Sequence, residues 1–255
     1  MAGREIVFIT GASSGLGAAL ARHYAQVGAN VGLFARRGAA LEALAATIPA
    51  GRAVIYAGDV RDAGALARAA ADFIARFGPP DIVIANAGVS RGALTENAED
   101  LAAFRTVFDT NVIGMVHAFQ PFLDAMHKVG RGALVGIASI AGFRGLPGSG
   151  AYSASKAAVI TYLESLRLEQ RGTGVAVLTI CPGFIATPMT EGNPYSMPFL
   201  IDADKAARLI ARAIDRRKRF YVLPWQMALV GCLLRWLPRT VYDALFAHAP
   251  RKPRP

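Results

Sequence analysis

The sequence of 255 residues contains only two cysteines, Cys181 and Cys232. Two thiols cannot build a disulfide framework or a metal-ligand cluster, so we predict a reducing compartment and no metal site. A long apolar segment near the N-terminus is also lacking, because the stretch 6–9 is too short for a signal peptide. The expected location is therefore the cytoplasm.

Acidic residues are scarce in only one part of the chain. Residues 1–204 carry 16 Lys and Arg against 16 Asp and Glu, whereas residues 205–255 carry 12 against 2. The formal net charge of +10 therefore resides in the last fifth of the sequence. These basic residues lie beside apolar ones and follow no recognisable motif for reading nucleic acid, so nucleic-acid binding is not predicted.

Apolar runs of strand length alternate with longer helical patterns. Strands are predicted at 6–10, 29–35, 53–57, 81–86, 133–138, 175–180 and 219–223. Helices are predicted at 15–27, 38–47, 63–77, 101–129, 153–172 and 204–216. Most strand runs are apolar on both faces, which is typical of strands covered by helices on both sides. The alternation predicts an α/β fold with one doubly wound parallel sheet of seven strands.

No linker or internal repeat divides residues 1–223, which we predict to form one domain. An apolar helical extension is predicted at 224–249. The segment 250–255 is rich in proline and basic residues and is predicted to be a disordered tail.

The first predicted strand leads into a glycine-rich turn, Thr10-Gly-Ala-Ser-Ser-Gly-Leu-Gly17. Glycines let such a turn approach a pyrophosphate closely, and the positive N-terminus of the following helix stabilises that group. We therefore predict a dinucleotide site here, although a strand–helix turn without a ligand is the alternative. The contacting residues are expected to be Gly11, Ser13, Ser14, Gly15, Leu16 and Gly17.

The end of the second strand bears on the choice of cofactor. A carboxylate there binds the free ribose of NAD, whereas an arginine accommodates the 2′-phosphate of NADP. The sequence has Arg36 and Arg37 and no carboxylate, which favours NADP(H) over two merely solvated arginines. Asp59-Val60 and Asn86-Ala87-Gly88 follow the next two strands and are also predicted to contact the cofactor, with turn formation as the alternative.

Four polar residues indicate the chemistry. Tyr152 and Lys156 are one helical turn apart, so their phenol and ammonium groups share a helix face. A nearby cation stabilises a phenolate and so lowers the pKa of a tyrosine, ordinarily about 10, towards the range of useful proton transfer. Ser139 can hold a substrate oxygen, and Asn111 lies in the helix 101–129. Taken singly, they could be a packing pair, a helix cap and a helix kink.

In combination, these residues resemble the short-chain dehydrogenase/reductase family over the whole of 4–223. The similarity rests on the glycine turn at 10–17, Asn-Ala-Gly at 86–88, Asn111, Ser139, Tyr-x-x-x-Lys at 152–156, and Pro182-Gly183 followed by Thr187. It implies a single Rossmann-like domain and a nicotinamide cofactor.

The resemblance also implies roles for individual residues. Tyr152 would be the catalytic acid and base, and Lys156 would bind the nicotinamide ribose and tune the phenol. Ser139 would orient the carbonyl, and Asn111 would hold a water of the proton relay. The residues expected near the nicotinamide are Pro182, Gly183, Ile185 and Thr187.

Two departures from the family pattern concern its assembly and its cofactor loop. Ala85 stands where many relatives have the first Asn of Asn-Asn-Ala-Gly. The ending Asp-Gly-Gly, common in tetrameric relatives, is missing after the last strand. A homodimer through the helices 101–129 and 153–172 is expected, and a tetramer is in doubt.

The extension, 225–249, holds both tryptophans and is interrupted by Pro238. Its apolar part is shorter than the ~20 residues that span a bilayer. Packing over the active site or against a dimer partner is the first expectation for such an apolar arm. Tryptophans with flanking arginines also suit peripheral contact with an anionic membrane surface, at the inner face of a membrane, which is the alternative.

The predicted function is NADPH-dependent reduction of a ketone or aldehyde to an alcohol. Besides Ser139 and Tyr152, the apolar residues expected near the substrate are Phe143, Leu146, Phe184, Met189, Tyr195 and Met197, which suit a lipid-, steroid- or 3-oxoacyl-like compound. One alternative is an NADP-linked alcohol dehydrogenase working in the oxidative direction. Another is a non-catalytic NADPH-sensing module at a membrane, although such a module has no chemical need for a tuned phenol.

Overall fold

The computed structural model describes residues 5–191, 193 and 196–253. Seven parallel strands form the main sheet in the order β3-β2-β1-β4-β5-β6-β9, and two short strands, β7 and β8, pair separately. The strands are β1 (Ile6–Thr10), β2 (Asn30–Ala35), β3 (Ala53–Ala57), β4 (Ile82–Ala85), β5 (Gly132–Ile137), β6 (Val175–Pro182), β7 (Ile185–Ala186), β8 (Ile201–Asp202) and β9 (Phe220–Leu223). The predicted sheet is therefore confirmed.

Helices cover both faces of the sheet. They are α1 (Gly15–Gln26), α2 (Gly38–Ala45), α3 (Ala63–Phe77), α4 (Leu101–Phe108), α5 (Gly114–Val129), α6 (Gly150–Glu169), α7 (Ala203–Asp215), α8 (Trp225–Trp236) and α9 (Arg239–Phe246). Successive strand residues point to opposite faces, so Val7 and Ile9 join the core under α1, α2 and α7, while Phe8 joins the core under α3, α5 and α6. Both faces are buried because both sets of strand side chains are apolar.

The predicted helix 101–129 is continuous but not uniform. Its residues Asp109–Ile113 form a π-helical turn between α4 and α5. Such a turn inserts extra backbone into a helix and is frequent at functional sites. The predicted helix 153–172 also differs, because α6 begins at Gly150 and ends at Glu169. Tyr152 consequently lies in its first turn.

The extension forms two helices, α8 and α9, and Pro238 separates them as the sequence indicates. Across the described part of the chain, no helix is both long and apolar enough to cross a bilayer. The tail differs from the expected disorder over its described residues 250–253. These residues lie against the loops around Gly92 and Gly148, where a hydrogen bond joins Lys252 to Ser90. Residues 254 and 255 fall outside the described part.

Candidate active site

The carboxyl ends of the central strands border a cleft of about 440 Å³. Parallel sheets with this strand order bind ligands at that edge. All predicted cofactor residues except Gly17 line the cleft: Gly11, Ser13, Ser14, Gly15, Leu16, Arg36, Arg37, Asp59, Val60, Asn86, Ala87, Gly88, Tyr152, Lys156, Pro182, Gly183, Ile185 and Thr187. Residues that were predicted from separate motifs therefore border one cleft.

Gly17 does not line the cleft but allows close packing beneath it. A Cβ atom at Gly17 would overlap the carbonyl oxygen of Gly11, so only glycine lets α1 pack so closely on the turn. Gly11 has a φ of +68°, and a Cβ there would lie 2.7 Å from the Cα of Ala87. The side-chain amide of Asn86 donates to the carbonyls of Thr10 and Gly11, at 3.1 and 3.3 Å. Glycine and asparagine thus hold the turn against the end of β4.

The first turn of α1 offers its backbone N–H groups to the cleft. Ser14 precedes the helix without making a capping hydrogen bond, and its hydroxyl instead accepts from Arg37 at 2.8 Å. Helix N–H groups without a side-chain cap favour an anion such as a pyrophosphate. The turn therefore fits the phosphates of a dinucleotide.

The adenosine end of the cleft is positively charged. Arg36 and Arg37 line it, and Asp59 is the only carboxylate among its described lining residues. Arg61 binds that carboxylate through its guanidinium at 2.7 and 3.0 Å and through its backbone N–H at 3.0 Å. These hydrogen bonds from Arg61 lower the pKa of Asp59. With Asp59 already paired, the two arginines face the cleft as its main charge.

Tyr152 and Lys156 converge on the other end of the cleft. The ammonium nitrogen of Lys156 lies 5.8 Å from the centroid of the Tyr152 ring and donates to the carbonyl of Ile137 at 2.8 Å. Lys156 is buried, and loss of solvation lowers its pKa to about 8. A Cβ at Gly88 would lie 3.7 Å from this nitrogen. Gly88 thus lies in the immediate surroundings of Lys156, and its closest contact for a Cβ would be the amide oxygen of Asn111 at 3.2 Å.

Ser139 lies between the cleft and the start of α6. Its hydroxyl accepts from the N–H of Ala141 at 3.1 Å and lies 3.5 Å from the carbonyl of Pro182. Ser139 thus caps a short 3₁₀ turn, Ile140–Gly142, which is the helix-cap role given above as the alternative to a catalytic one. It also lines the cleft together with Tyr152. The cap and the orientation of a substrate oxygen are compatible, because a hydroxyl has one donor and two acceptor positions.

Asn111 does not line the cleft, and its side chain is fully buried in the π-helical turn. Its amide accepts from the N–H of Val89 at 2.8 Å and donates to the carbonyl of Val89 at 3.0 Å and to the hydroxyl of Ser155 at 2.9 Å. Ser155 in turn donates to the carbonyl of Tyr152 at 2.7 Å. The Asn111 side chain therefore fixes the segment after β4 to the first turn of α6.

A second cavity, also of about 440 Å³, adjoins the cleft and shares Ser139, Tyr152 and Met189 with it. We call it the substrate cavity. Of the residues predicted near the substrate, Leu146 and Phe184 also line it. Phe143 does not: its ring packs against Gly231 and stacks on Phe220 at 6.1 Å between centroids. Among its described lining residues, Met197 does not occur, and Tyr195 lies outside the described part.

Comparison with known proteins identifies the family. The family model for short chain dehydrogenase matches residues 5–196. The chain belongs to this family. An uncharacterized oxidoreductase of Myxococcus xanthus is 40% identical over 240 residues, which are 92% of this chain and 94% of that protein. The crystal structure of a short-chain dehydrogenase from Streptomyces avermitilis has a TM-score of 0.79 and 30% identity, and covers 97% of this chain and 95% of its own.

Two further relatives have names that state a substrate class. Ketoacyl reductase HetN of Nostoc is 34% identical over 84% of this chain and 76% of its own length. The 11-beta-hydroxysteroid dehydrogenase A of Sesamum indicum is 30% identical over 94% of this chain and 76% of its own. Short-chain dehydrogenases use nicotinamide cofactors, and the cleft described above fits one.

Packing of the extension over the active site is one of the arrangements expected from the sequence of this short-chain dehydrogenase, and the extension does form one wall of the substrate cavity, although its residues there were not predicted. That wall comes from the extension and the tail: Met227, Val230, Leu234, Phe246, Ala249, Pro250 and Lys252. The spacing of Met227, Val230 and Leu234 places them on one helix face, and this was the available signal. Ser155 and Val89 carried no signal, because their role depends on contacts between distant segments.

Proposed function

We propose that the protein is an NADPH-dependent carbonyl reductase that converts a ketone or aldehyde into an alcohol. One observation carries the proposal: Tyr152 and Ser139 line both the dinucleotide cleft and the substrate cavity. A carbonyl group held at that junction would meet a proton donor and a bound nicotinamide at the same time.

Each polar group has a task in this reaction. When bound, NADPH supplies the hydride to the carbonyl carbon. The Ser139 hydroxyl holds the carbonyl oxygen, and the Tyr152 phenol gives that oxygen a proton. The Lys156 ammonium group stabilises the phenolate that remains. Oxidation of an alcohol would use the same groups in the reverse order.

The preference for NADPH over NADH is supported by charge. Arg36 and Arg37 line the adenosine end, and the carboxylate of Asp59 is paired with Arg61. Arginine binds phosphate oxygens through parallel N–H groups. A 2′-phosphate therefore gains two cations, whereas the hydroxyl of NADH finds no unpaired carboxylate among the described lining residues.

The substrate is expected to be hydrophobic. Leu146, Phe184 and Met189 from the loops of the main domain and Val230 and Leu234 from α8 give the substrate cavity a largely apolar surface. A ketoacyl reductase and a hydroxysteroid dehydrogenase among the relatives point in the same direction.

The test is turnover of Tyr152→Phe. We expect kcat to fall by at least a thousandfold, because phenylalanine keeps the ring and removes the proton donor. NADPH binding, followed by its fluorescence, should stay within about twofold. The assay measures NADPH absorbance with long-chain ketones, sterols, 3-oxoacyl thioesters and small aldehydes. Undiminished turnover in Tyr152→Phe would reject the assignment, and a wild-type protein inert to every class would reject the reductase function.

We also propose that the outer face of α8 contacts an anionic membrane surface. Trp225, Leu229, Leu233 and Trp236 lie along one side of α8 with exposed fractions of 68%, 64%, 66% and 82%. Arg235 is exposed at the edge of this row, and the last fifth of the chain is strongly basic. Tryptophan, leucine and arginine together suit the interface of an anionic bilayer.

Vesicle flotation tests this contact. The protein should float with vesicles that contain anionic lipid and much less with neutral ones. Trp236→Ser combined with Leu229→Ser should abolish flotation, while Leu168→Ser, which alters an equally exposed leucine on α6, should not. Absence of flotation would contradict the proposal. A concentration-dependent dimer that is lost in the double variant would assign the same face to a subunit contact.

A homodimer through α4, α5 and α6 is a further proposal. Leu101 and Ile113 are large apolar side chains on that surface, and about half of each is exposed. Light scattering should give twice the chain mass, and Ile113→Asp should give monomers. A wild-type monomer at micromolar concentration would contradict this proposal.

A further inference from the structure

The substrate cavity has a charge pattern that a purely apolar ligand does not explain. Arg144 and Lys252 are half-buried in its wall, and no carboxylate occurs among its described lining residues. Among the ion pairs of the described residues, neither cation takes part. Removing a cation from water without a counter-ion costs free energy. An anion that arrives with the ligand would recover that cost.

Lys252 is held in the cavity wall by a hydrogen bond and by the packing of the tail around it. Its ammonium group donates to the hydroxyl of Ser90 at 2.8 Å, and burial lowers its pKa. The backbone of the tail lies directly on two glycines. A Cβ at Gly92 would overlap the carbonyl oxygen of Pro253, and one at Gly148, where φ is +69°, would lie 2.9 Å from the Cβ of Arg251. Any larger residue at either position would displace the tail.

Arg144 is held by the extension. Its guanidinium carbon lies 4.3 Å from the centroid of the Tyr242 ring, which belongs to α9. Tyr242 is itself fixed, because its hydroxyl donates to the carbonyl of Gly145 at 2.6 Å. A ring face attracts a cation without neutralising it. Arg144 thus keeps its full charge for a ligand; the extension positions Arg144, and the contacts of the tail position Lys252.

We propose that Lys252 and Arg144 bind an anionic group of the substrate, so that the substrate is an amphiphile with a carbonyl, an apolar body and a carboxylate or phosphate. This inference rests on the proposed reductase function and adds the substrate class. The apolar lining would hold the body while the carbonyl lies at Tyr152. Lys252 and Arg144 are specificity-determining residues in this scheme and take no part in the proton transfer.

Matched substrate pairs test the inference. Straight-chain oxo acids that differ in the distance between carbonyl and carboxylate are compared with their methyl esters. A 3-oxoacyl coenzyme A is compared with the thioester of N-acetylcysteamine, which lacks the phosphates. We expect wild-type kcat/KM to be at least tenfold higher for the anionic member of the best pair, because a charge-assisted hydrogen bond is lost in the neutral one. Which pair responds distinguishes a carboxylate from a phosphate.

Variants separate charge from packing. Lys252→Met should raise KM for the anionic substrate about tenfold and leave kcat and the neutral substrate unchanged, while Lys252→Arg should keep the preference. Arg144→Met should act in the same direction. Gly92→Val should abolish the preference without changing a charge, because it displaces the tail. Lys128→Gln, which alters an exposed lysine on α5, is the matched control and should have no effect.

The outcomes are distinct. Equal turnover of both members of every pair overturns the anion site and leaves the reductase function standing. An equal loss on acid and ester in Lys252→Met would make the lysine a packing residue of the tail and also overturn the inference. A protein that binds NADPH but reduces neither member of any pair overturns the reductase function and the inference with it.

Discussion

The two cavities that meet at Tyr152 are built in different ways. The dinucleotide cleft is made by the ends of sheet strands, and its shape depends on backbone positions such as Gly11 and Gly17. The wall that the extension adds to the substrate cavity is made by side chains of α8, α9 and the tail. The backbone positions of the cleft accept few residue types, whereas the side-chain positions of the added wall accept many. This difference explains why the residues of the dinucleotide cleft could be predicted from sequence motifs, whereas most residues of the substrate cavity could not.

The strongest way to break the cleft alone is Gly17→Val. The added side chain would overlap the Gly11 carbonyl, so the turn could no longer pack on α1. We expect complete loss of the NADPH-induced rise in melting temperature, measured by differential scanning fluorimetry. Gly150→Ala is the control, because a Cβ there meets nothing within 4 Å. A normal NADPH shift in Gly17→Val would contradict the packing argument.

Arg36→Ala sharpens the comparison at the adenosine end. Because one phosphate-binding cation is lost, Kd for NADPH should rise by on the order of 30-fold, while Kd for NADH should change less than twofold. Titration calorimetry with both nucleotides measures this. Arg68→Ala, which removes an exposed arginine on α3, should leave both values alone. An equal effect of Arg36→Ala on the two nucleotides would refute the phosphate role.

The pH dependence tests Lys156, the buried cation that lines the dinucleotide cleft. Burial lowers the pKa of Lys156 to about 8, so the amine is protonated below that pH and neutral above it. The neutral amine cannot stabilise a phenolate, and kcat for reduction should therefore fall about tenfold between pH 7 and pH 9. A pH profile measured at saturating NADPH checks this. A rate that rises across that range would exclude the ammonium form as the active one.

Gly231→Leu should perturb only the substrate side. A Cβ at Gly231 would lie 2.6 Å from the ring of Phe143, so the larger side chain would push α8 outward. KM for long-chain ketones should rise several-fold, while small aldehydes and NADPH affinity should be unaffected. Cys232→Leu, at the exposed neighbouring position, is the matched control. A loss of NADPH affinity in Gly231→Leu would show that the two cavities are not independent.

Much of the fold could be predicted because its signals are local. Apolar runs such as Ile6–Thr10 are buried on both faces, and the glycine turn follows directly. Predictions for isolated side chains were less successful. Phe143 was assigned to the substrate by its apolar character, but its ring is taken up by Gly231 and Phe220. The water assigned to Asn111 stays a prediction, while the side-chain amide of Asn111 is hydrogen-bonded to Val89 and Ser155.

The tail shows the limit of composition as evidence. Proline and basic residues in 250–255 predicted disorder, yet Lys252 lies in the cavity wall. The contact depends on Gly92 and Gly148, which are more than a hundred residues earlier in the sequence. A contact made by residues so far apart leaves no local pattern.

The extension and the tail follow β9 directly in the sequence, and everything they contribute to the site comes after Leu223. A chimera that exchanges this single stretch with that of a relative would replace one wall of the substrate cavity. It would leave Tyr152 and the dinucleotide cleft unchanged. Enzymes with new selectivity could then be obtained from one splice point, without redesign of the reaction centre.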